Sequence, residues 1–305
     1  MEETVVPDRY SSCGSGCGSG FSRERATSMP LVPGEITELA PGVRRLLAPN
    51  AGMMTGPGTN TYLLGSDEVA VLDPGPRIDA HIDAIEALAP GPIRWILVTH
   101  THPDHSPAAA KLAEATGAEL VGRPAPDGPS QDETFVPQRV LDDGDLFETA
   151  EFTVRAVHTP GHASNHLCYR HEQLDWLFTG DHIMDGSTVV INPPDGNMKQ
   201  YLESLERLKT LALKRLAPGH GELIDDPYAV VDALIAHRLG REAKVVDAVQ
   251  AHPALTTKQL TPYVYDDVDE SLHGLASRSL LAHLLKLEEE NRATQDDGRW
   301  RLSKM

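Results

Sequence analysis

Apolar residues in this chain fall into short runs that alternate with helical spacings. TNTYLLG (59–65) and EVAVLDPG (68–75) are two such runs on either side of Gly65–Ser66. Short apolar runs bounded by turn residues predict two strands joined by a tight turn. In RIDAHIDAIEALA the apolar positions Ile78, Ile82, Ile85 and Leu88 share one face of a helix, and Pro90–Gly91–Pro92 ends it. IRWILV (93–98) is continuously apolar and rich in branched residues, the pattern of a strand buried on both faces. SPAAAKLAEATG predicts a helix from near Ser106 to Gly117, and AELVG another strand. After a proline-rich loop over 123–139, FTVRAVHTPGH, HLCYR and WLFTGDHI read as strand–loop units. MKQYLESLERLKTLA reads as an amphipathic helix and KRLAPGHG as a last strand with its loop. Strands interspersed with helices in this order suit two packed sheets with helices on both faces, an α/β class.

Beyond Asp226 the pattern is different. YAVVDALIAHRLGREAKVVDAVQ and SLHGLASRSLLAHLLKLEEENR are helical, and ATQDDGRWRL predicts a hairpin turning at Asp297–Gly298. Helices followed by a terminal hairpin suggest a small winged-helix-like domain. The expected division is a polar, Ser/Gly-rich disordered tail over 1–29, a catalytic domain over 30–239 and a winged-helix-like domain over 240–305. The tail reads equally as an extension upstream of a start at Met29. Cys13 and Cys17 lie in its flexible SSCGSGCGSG stretch and make a poor metal site.

Composition narrows the partners. The 305 residues are 40% hydrophobic, enough for a core, and carry a formal net charge of −18. Such a surface repels phosphate backbones, which disfavours broad nucleic-acid binding, DNA included. Three cysteines make no disulfide framework, so a cytoplasmic protein is the expectation. No apolar run is long enough for a membrane span, and residues 1–30 lack the apolar core of a signal peptide.

The chemistry concentrates in loops that follow the predicted strands. THTHPDH places His100, His102, Asp104 and His105 directly after IRWILV. His162 follows in TPGH, Asp181 in TGD and His220 in PGHG, and Asp73 follows a strand in VLDPG. Neutral imidazoles and carboxylates are zinc ligands at roughly 2.0–2.2 Å. Residues separated by one position point the same way on extended backbone, so His100 and His102 can share an ion, completed by His162. Asp104 and His105 can reach a second ion, completed by His220, and Asp181 can bridge the two. Paired ions about 3.5–4 Å apart hold a hydroxide that is available at neutral pH. Gly161, Gly180 and Gly219 each precede a member of the cluster and let the backbone come close. Iron and manganese suit the same ligand types, with zinc the default. His81, His171, His237, His252, His273 and His283 read instead as caps or surface residues. His158, His166 and His182 lie near the cluster and read as supporting or substrate-facing.

On THTHPDH, TPGH, TGD and PGHG, in that order, the sequence resembles the metallo-β-lactamase superfamily over about 31–225. The resemblance implies an αββα sandwich with a dinuclear site at one edge. It also implies that Asp73 stands behind the metals and orients a ligand. The C-terminal region resembles that of the β-lactamase-like protein 2 group, whose relatives include a single-strand endoribonuclease and thioesterases acting on carrier-bound polyketides. Asp181 stands where the hydroxyacylglutathione-hydrolase and nuclease branches place a bridging residue, which argues against lactam cleavage.

The expected activity is therefore hydrolysis, by a metal-bridging hydroxide, of an ester or thioester of a small acyl substrate. Asp104 and Asp181 are the catalytic candidates, with Asp104 orienting the hydroxide or taking its proton. Single-stranded RNA is the alternative substrate. The third reading is a nucleic-acid-binding or regulatory protein with a vestigial enzyme domain. Residues 240–305 hold nine Lys/Arg against eleven Asp/Glu, and few aromatics beyond Tyr263, Tyr265 and Trp300, which weakens the RNA reading. The same domain reads more simply as a wall of the active-site cleft or a homodimer contact. Met54 in NAGMMTGPG and Thr188 in DGSTVVINPPDG are the expected substrate-binding positions.

Overall fold

The computed structural model describes residues 31–303; the expectations for residues 1–29, Cys13 and Cys17 among them, lie outside those residues. β1 (Ile36–Ala40), β2 (Val43–Leu47), β3 (Asn60–Leu64) and β4 (Val69–Leu72) form an antiparallel meander. α1 (Asp79–Leu88) carries the chain to β5 (Ile93–Leu97), and α2 (Ala108–Thr116) carries it to β6 (Glu119–Gly122). β5, β6 and the short β7 (Arg139–Val140) add in parallel and complete a seven-stranded sheet in sequence order. β8 (Leu146–Glu148), β9 (Thr153–His158), β10 (Leu167–His171) and β11 (Trp176–Gly180) are a second meander. α3 (Met198–Leu208) then crosses over to β12 (Arg215–Pro218), which lies parallel to β11.

The two sheets face each other. Tyr62, Leu64, Leu72 and Leu97 of the first pack against Phe147, Val154, Tyr169 and Phe178 of the second. The Tyr62 and Phe178 rings meet edge-on at 4.9 Å. Alternate residues of the same strands face outward: Leu63, Val71 and Ile96 lie under α1 and α2, and Val157, Leu177 and Leu216 lie under α3 and α4 (Pro227–Ala251). Both faces of the central strands are therefore buried, which explains why they read as unbroken apolar runs. Each such buried Leu or Phe contributes roughly 1.5–3 kcal/mol. The result is an αββα sandwich.

α4 starts at an Asp226 cap, whose carboxylate accepts from the Ala229 amide, with Pro227 in the first turn. It runs unbroken through residue 240: Val231 and Leu234 pack on the sandwich, and Val245 and Val249 enter a separate core. β13 (Leu255–Thr256), α5 (Thr257–Val264), a 3₁₀ turn at Glu270–Leu272, α6 (His273–Glu289) and the hairpin β14 (Ala293–Asp296)–β15 (Arg299–Leu302) build the rest of that core. Trp300 is buried there against Leu260, Leu280 and Leu284. Among the described residues no helix is long and apolar enough to cross a membrane.

The reading of lone histidines as caps or surface residues fails at three positions. His81, His171 and His283 are buried. His81 lies on the inner face of α1, where its Nε2 bonds the Thr61 hydroxyl at 3.0 Å. His283 lies within α6, close to the buried Glu242.

Candidate metal centre

Asp73 follows β4 and His100 follows β5, and these strands run parallel. His162, Asp181 and His220 follow β9, β11 and β12, which also share one direction. All five therefore emerge at carboxyl ends of strands, and the two sheets are tied together at that edge. The Asn60 amide donates to the Gly219 carbonyl at 2.8 Å, and the Leu167 amide to the Thr99 carbonyl at 2.8 Å. The hydroxyls of Tyr62 and Tyr169 reach across to the carbonyls of Pro218 and Val98.

The side chains form two adjoining groups. In one, His100, His102 and His162 each offer a nitrogen within 4.8 Å of the others, and in the second Asp104, His105, Asp181 and His220 do the same. His102 Nδ1 and His162 Nε2 are 2.9 Å apart. Asp181 lies between the groups: its Oδ1 is 3.2 Å from Nε2 of both His105 and His220, and its Oδ2 is 3.7 Å from His162 Nε2. Asp104 Oδ2 is 3.2 Å from His220 Nε2.

The far nitrogens of four imidazoles are already engaged. Nδ1 of His162 donates to the Val190 carbonyl at 2.8 Å, and Nδ1 of His220 to the Gly58 carbonyl at 3.0 Å. Asp73 Oδ2 accepts from His105 Nδ1 at 2.9 Å and from the Thr99 hydroxyl at 2.8 Å. With its hydrogen thus committed, the Thr99 oxygen accepts from His100 Nδ1 at 3.0 Å. The near atoms have no hydrogen bond: Nε2 of His100, His105 and His220, and Oδ1 of Asp181, are buried and unsatisfied. Buried polar atoms without partners are costly. Unprotonated nitrogens aimed at a common point, each ring fixed from behind, are what a metal site requires. The donor set fits zinc and also iron or manganese.

Electrostatics agree. Burial, then the neighbouring His105 and His102, pushes His100 well below its ordinary pKa, which favours the neutral ligand form. Burial also brings His102 down to about 3. Burial pulls His220 down too, but Asp181 and Asp104 overcome it and hold it up at about 10. His105 is likewise raised, burial being outweighed by Asp181, Asp104 and Asp73. Without cations, then, protons compensate the carboxylates of the second group, and a metal ion bound there would displace them.

Two glycines permit this density. Gly180 has φ +45°, and a Cβ on it would lie 2.5 Å from the Thr99 hydroxyl and 2.8 Å from His166 Nε2. A Cβ on Gly219 would lie 2.7 Å from the His105 ring and 3.0 Å from Asp181 Oδ1.

The remaining expected residues are spread around the centre. The His166 ring is 5.0 Å from that of His100, and its Nδ1 bonds the Thr159 hydroxyl at 2.9 Å. His182 is buried edge-on to Tyr201, and neither of its nitrogens has a hydrogen-bond partner. His158 bonds the Ser164 carbonyl. Met54 is 49% exposed, in the turn that also carries Gly58. Thr188 lines a cavity shared with α4, α6 and the segment after α5. Cys168 is buried, its thiol raised to about 12 by burial, and is chemically quiet. Thr99 and the carbonyls of Val190 and Gly58 were not expected; backbone acceptors carry no signal in sequence.

Known proteins resemble this chain in sequence and fold. Residues 54–220 match the metallo-beta-lactamase superfamily, and residues 256–300 match the beta-lactamase associated winged helix domain. A beta-lactamase-like protein 2 homolog of Drosophila melanogaster is 34% identical over 278 residues, covering 87% of this chain and 93% of that protein. An atrochrysone carboxyl ACP thioesterase of Aspergillus fumigatus is 32% identical over 234 residues, covering 74% of this chain and 70% of that one. Among solved structures, a beta-lactamase domain protein from Burkholderia ambifaria superposes with a TM-score of 0.77 at 26% identity, covering 91% of this chain and 96% of that one. A metallo-beta-lactamase family protein from Thermus thermophilus gives 0.73 at 23% identity, covering 87% and 100%. With its paired imidazole and carboxylate groups at one edge of the sandwich and a winged-helix domain at its C-terminus, the chain belongs to the metallo-beta-lactamase superfamily.

Proposed function

We propose that this chain is a dinuclear metal-dependent hydrolase of esters or thioesters of a small acyl substrate. The observation that carries the reading is the position of Asp181, one oxygen facing each group. His100, His102 and His162 would hold one ion, Asp104, His105 and His220 the other, with Asp181 shared and zinc as the default metal. Bound cations would polarise the substrate carbonyl, offset the charge that develops on its oxygen and lower the pKa of water toward ~7. The protein's own part is to hold the imidazoles rigid and to supply a proton acceptor. Burial pulls the Asp104 carboxyl up, but His105 and His220 hold it below the usual range, so it is anionic at neutral pH. Asp104 takes the proton of the attacking water and returns it to the leaving group.

The acyl class is supported by the relative that is named as a carrier-protein thioesterase. The net charge of −18 and the scarcity of open aromatics weigh against RNA. Trp300 and Tyr265 are buried, and the exposed Tyr263 stacks on His252 at 4.0 Å. The test is a substrate panel of acyl thioesters, aryl esters, single-stranded RNA and a lactam, run with metal-loaded and chelated protein. Thioester or ester hydrolysis that disappears on chelation and in Asp104→Ala is the expected result. Chelator-sensitive RNA cleavage without acyl hydrolysis would replace this reading with an endoribonuclease.

A further inference from the structure

The sandwich and the small C-terminal domain flank an open cavity of about 190 Å³, walled by Val189 and Val190 on one side and by Arg238, Tyr265, Leu275 and Ala276 on the other. Its lining pairs an apolar side with a polar one that carries two guanidinium groups, Arg238 and Arg241, beside Thr188, His237 and Ser279. Arg238 is 3% exposed. One terminal nitrogen donates to the Val189 carbonyl, the guanidinium lies over the Tyr201 ring, and Nε has no partner. Nearby Arg241 is matched by Asp267 at 2.7 Å, whereas Arg238 takes part in none of the ion pairs among the described residues. A buried guanidinium without a counter-charge is strongly unfavourable. A guanidinium kept in this state beside a cavity calls for an anion.

We propose that this cavity binds an organic anion with an apolar body, its carboxylate or phosphate at Arg238 and its chain against Val189, Leu275 and Ala276. The occupant also communicates with the metal centre. Val190, in the same wall, gives its carbonyl to His162 Nδ1 at 2.8 Å. Whatever packs on this loop therefore bears on the orientation of a candidate metal ligand. The anion is either the remote end of the substrate, which rests on the hydrolase reading above, or a separate small molecule.

The test uses octanoate and its neutral counterpart octan-1-ol, titrated calorimetrically into the full-length protein with and without metal. Octanoate is expected to bind at least about tenfold tighter than the alcohol. Arg238→Met removes the charge at similar length; it should abolish that preference and raise Tm, while Arg238→Lys keeps part of it. Ala276→Trp fills the cavity and should abolish octanoate binding with Arg238 still in place. Equal binding of acid and alcohol, octanoate binding that survives both Arg238→Met and Ala276→Trp, or no octanoate binding at all overturns the proposal. Competitive inhibition of octanoyl-thioester hydrolysis identifies the substrate's own tail, and an altered kcat on an acetyl thioester identifies a separate ligand. Calorimetry needs no turnover, so a protein that binds octanoate through Arg238 but hydrolyses nothing sinks the hydrolase reading and leaves the site standing.

Discussion

Asp73 Oδ2 lies 2.9 Å from His105 Nδ1 and, through the Thr99 hydroxyl, also fixes His100, so one carboxylate orients an imidazole of each group. Its backbone is left-handed, with φ +49°. Asp and Asn enter this region more readily than other non-glycine residues. Asp73→Asn should therefore fold, yet lose the negative charge behind His105. Metal affinity is expected to fall about 10–100-fold, the usual cost of removing such a supporting group. Competition against a chromophoric chelator measures it, and unchanged affinity rules the role out.

Asp181→Ala should leave each group one donor short. Elemental analysis is expected to show less than a full pair of metals, and kcat/KM for the best acyl substrate should fall by at least about 100-fold. Full metal occupancy with wild-type turnover is the contrary result.

Gly180→Ala tests the crowding directly. The new Cβ would meet Thr99 at 2.5 Å with φ at +45°. Strain of this kind costs about 1–3 kcal/mol. Lower Tm and weaker metal binding should appear together, because Thr99 holds His100. Loss of stability alone would separate the turn from the site.

Strand-end histidines and glycines were legible because metal chemistry restricts them to a few residue types at fixed spacings. The central strands were legible because burial on both faces leaves continuous apolar runs such as IRWILV. β1 and β2 were missed because their burial is uneven: β1 is partly exposed, and β2 buries Arg45, which pairs with Glu222 at 2.8 Å. The partners of His162 and His220 were missed because they are main-chain carbonyls, placed by tertiary structure alone. His81, read as a cap or surface residue, is buried on the inner face of α1, and its contact with Thr61 is a tertiary one that local pattern does not announce.

That histidine sets a pH dependence. Burial lowers His81 to about 4, so the folded protein holds it neutral while the unfolded chain binds a proton near its ordinary value. The stability it contributes is complete above pH ~6.5 and is lost as pH falls through about 4, amounting to about 3 kcal/mol. In His81→Leu that part of the acid sensitivity should vanish. Urea titrations of chelated protein at neutral pH and near pH ~4 measure it, and the gap between mutant and wild type should move in the mutant's favour on acidification. A gap that does not change with pH contradicts the assignment.

Glu242 contributes in the same direction in the C-terminal core, but through charge partners and not through desolvation. Its two oxygens meet Lys286 at 2.7 Å and Arg292 at 2.6 Å, joining α4 to α6 and to the start of the hairpin. Glu242 and Lys286 are only 5% and 8% exposed. Burial pulls the Glu242 carboxyl up, but His283, Lys286 and Arg292 overcome it and bring it down to about 2. Its stabilisation is present above pH ~4.5 and is lost as pH falls through about 2. Glu242→Gln leaves Lys286 buried with only Glu290, at 2.8 Å, to answer its charge. A loss of about 3 kcal/mol near neutral pH is expected, shrinking toward zero in acid where wild type is protonated too. The double change Glu242→Met with Lys286→Met should recover most of that loss, since burying an apolar pair carries no desolvation penalty. If the double variant is no more stable than Glu242→Gln, the network owes its effect to packing geometry and not to charge.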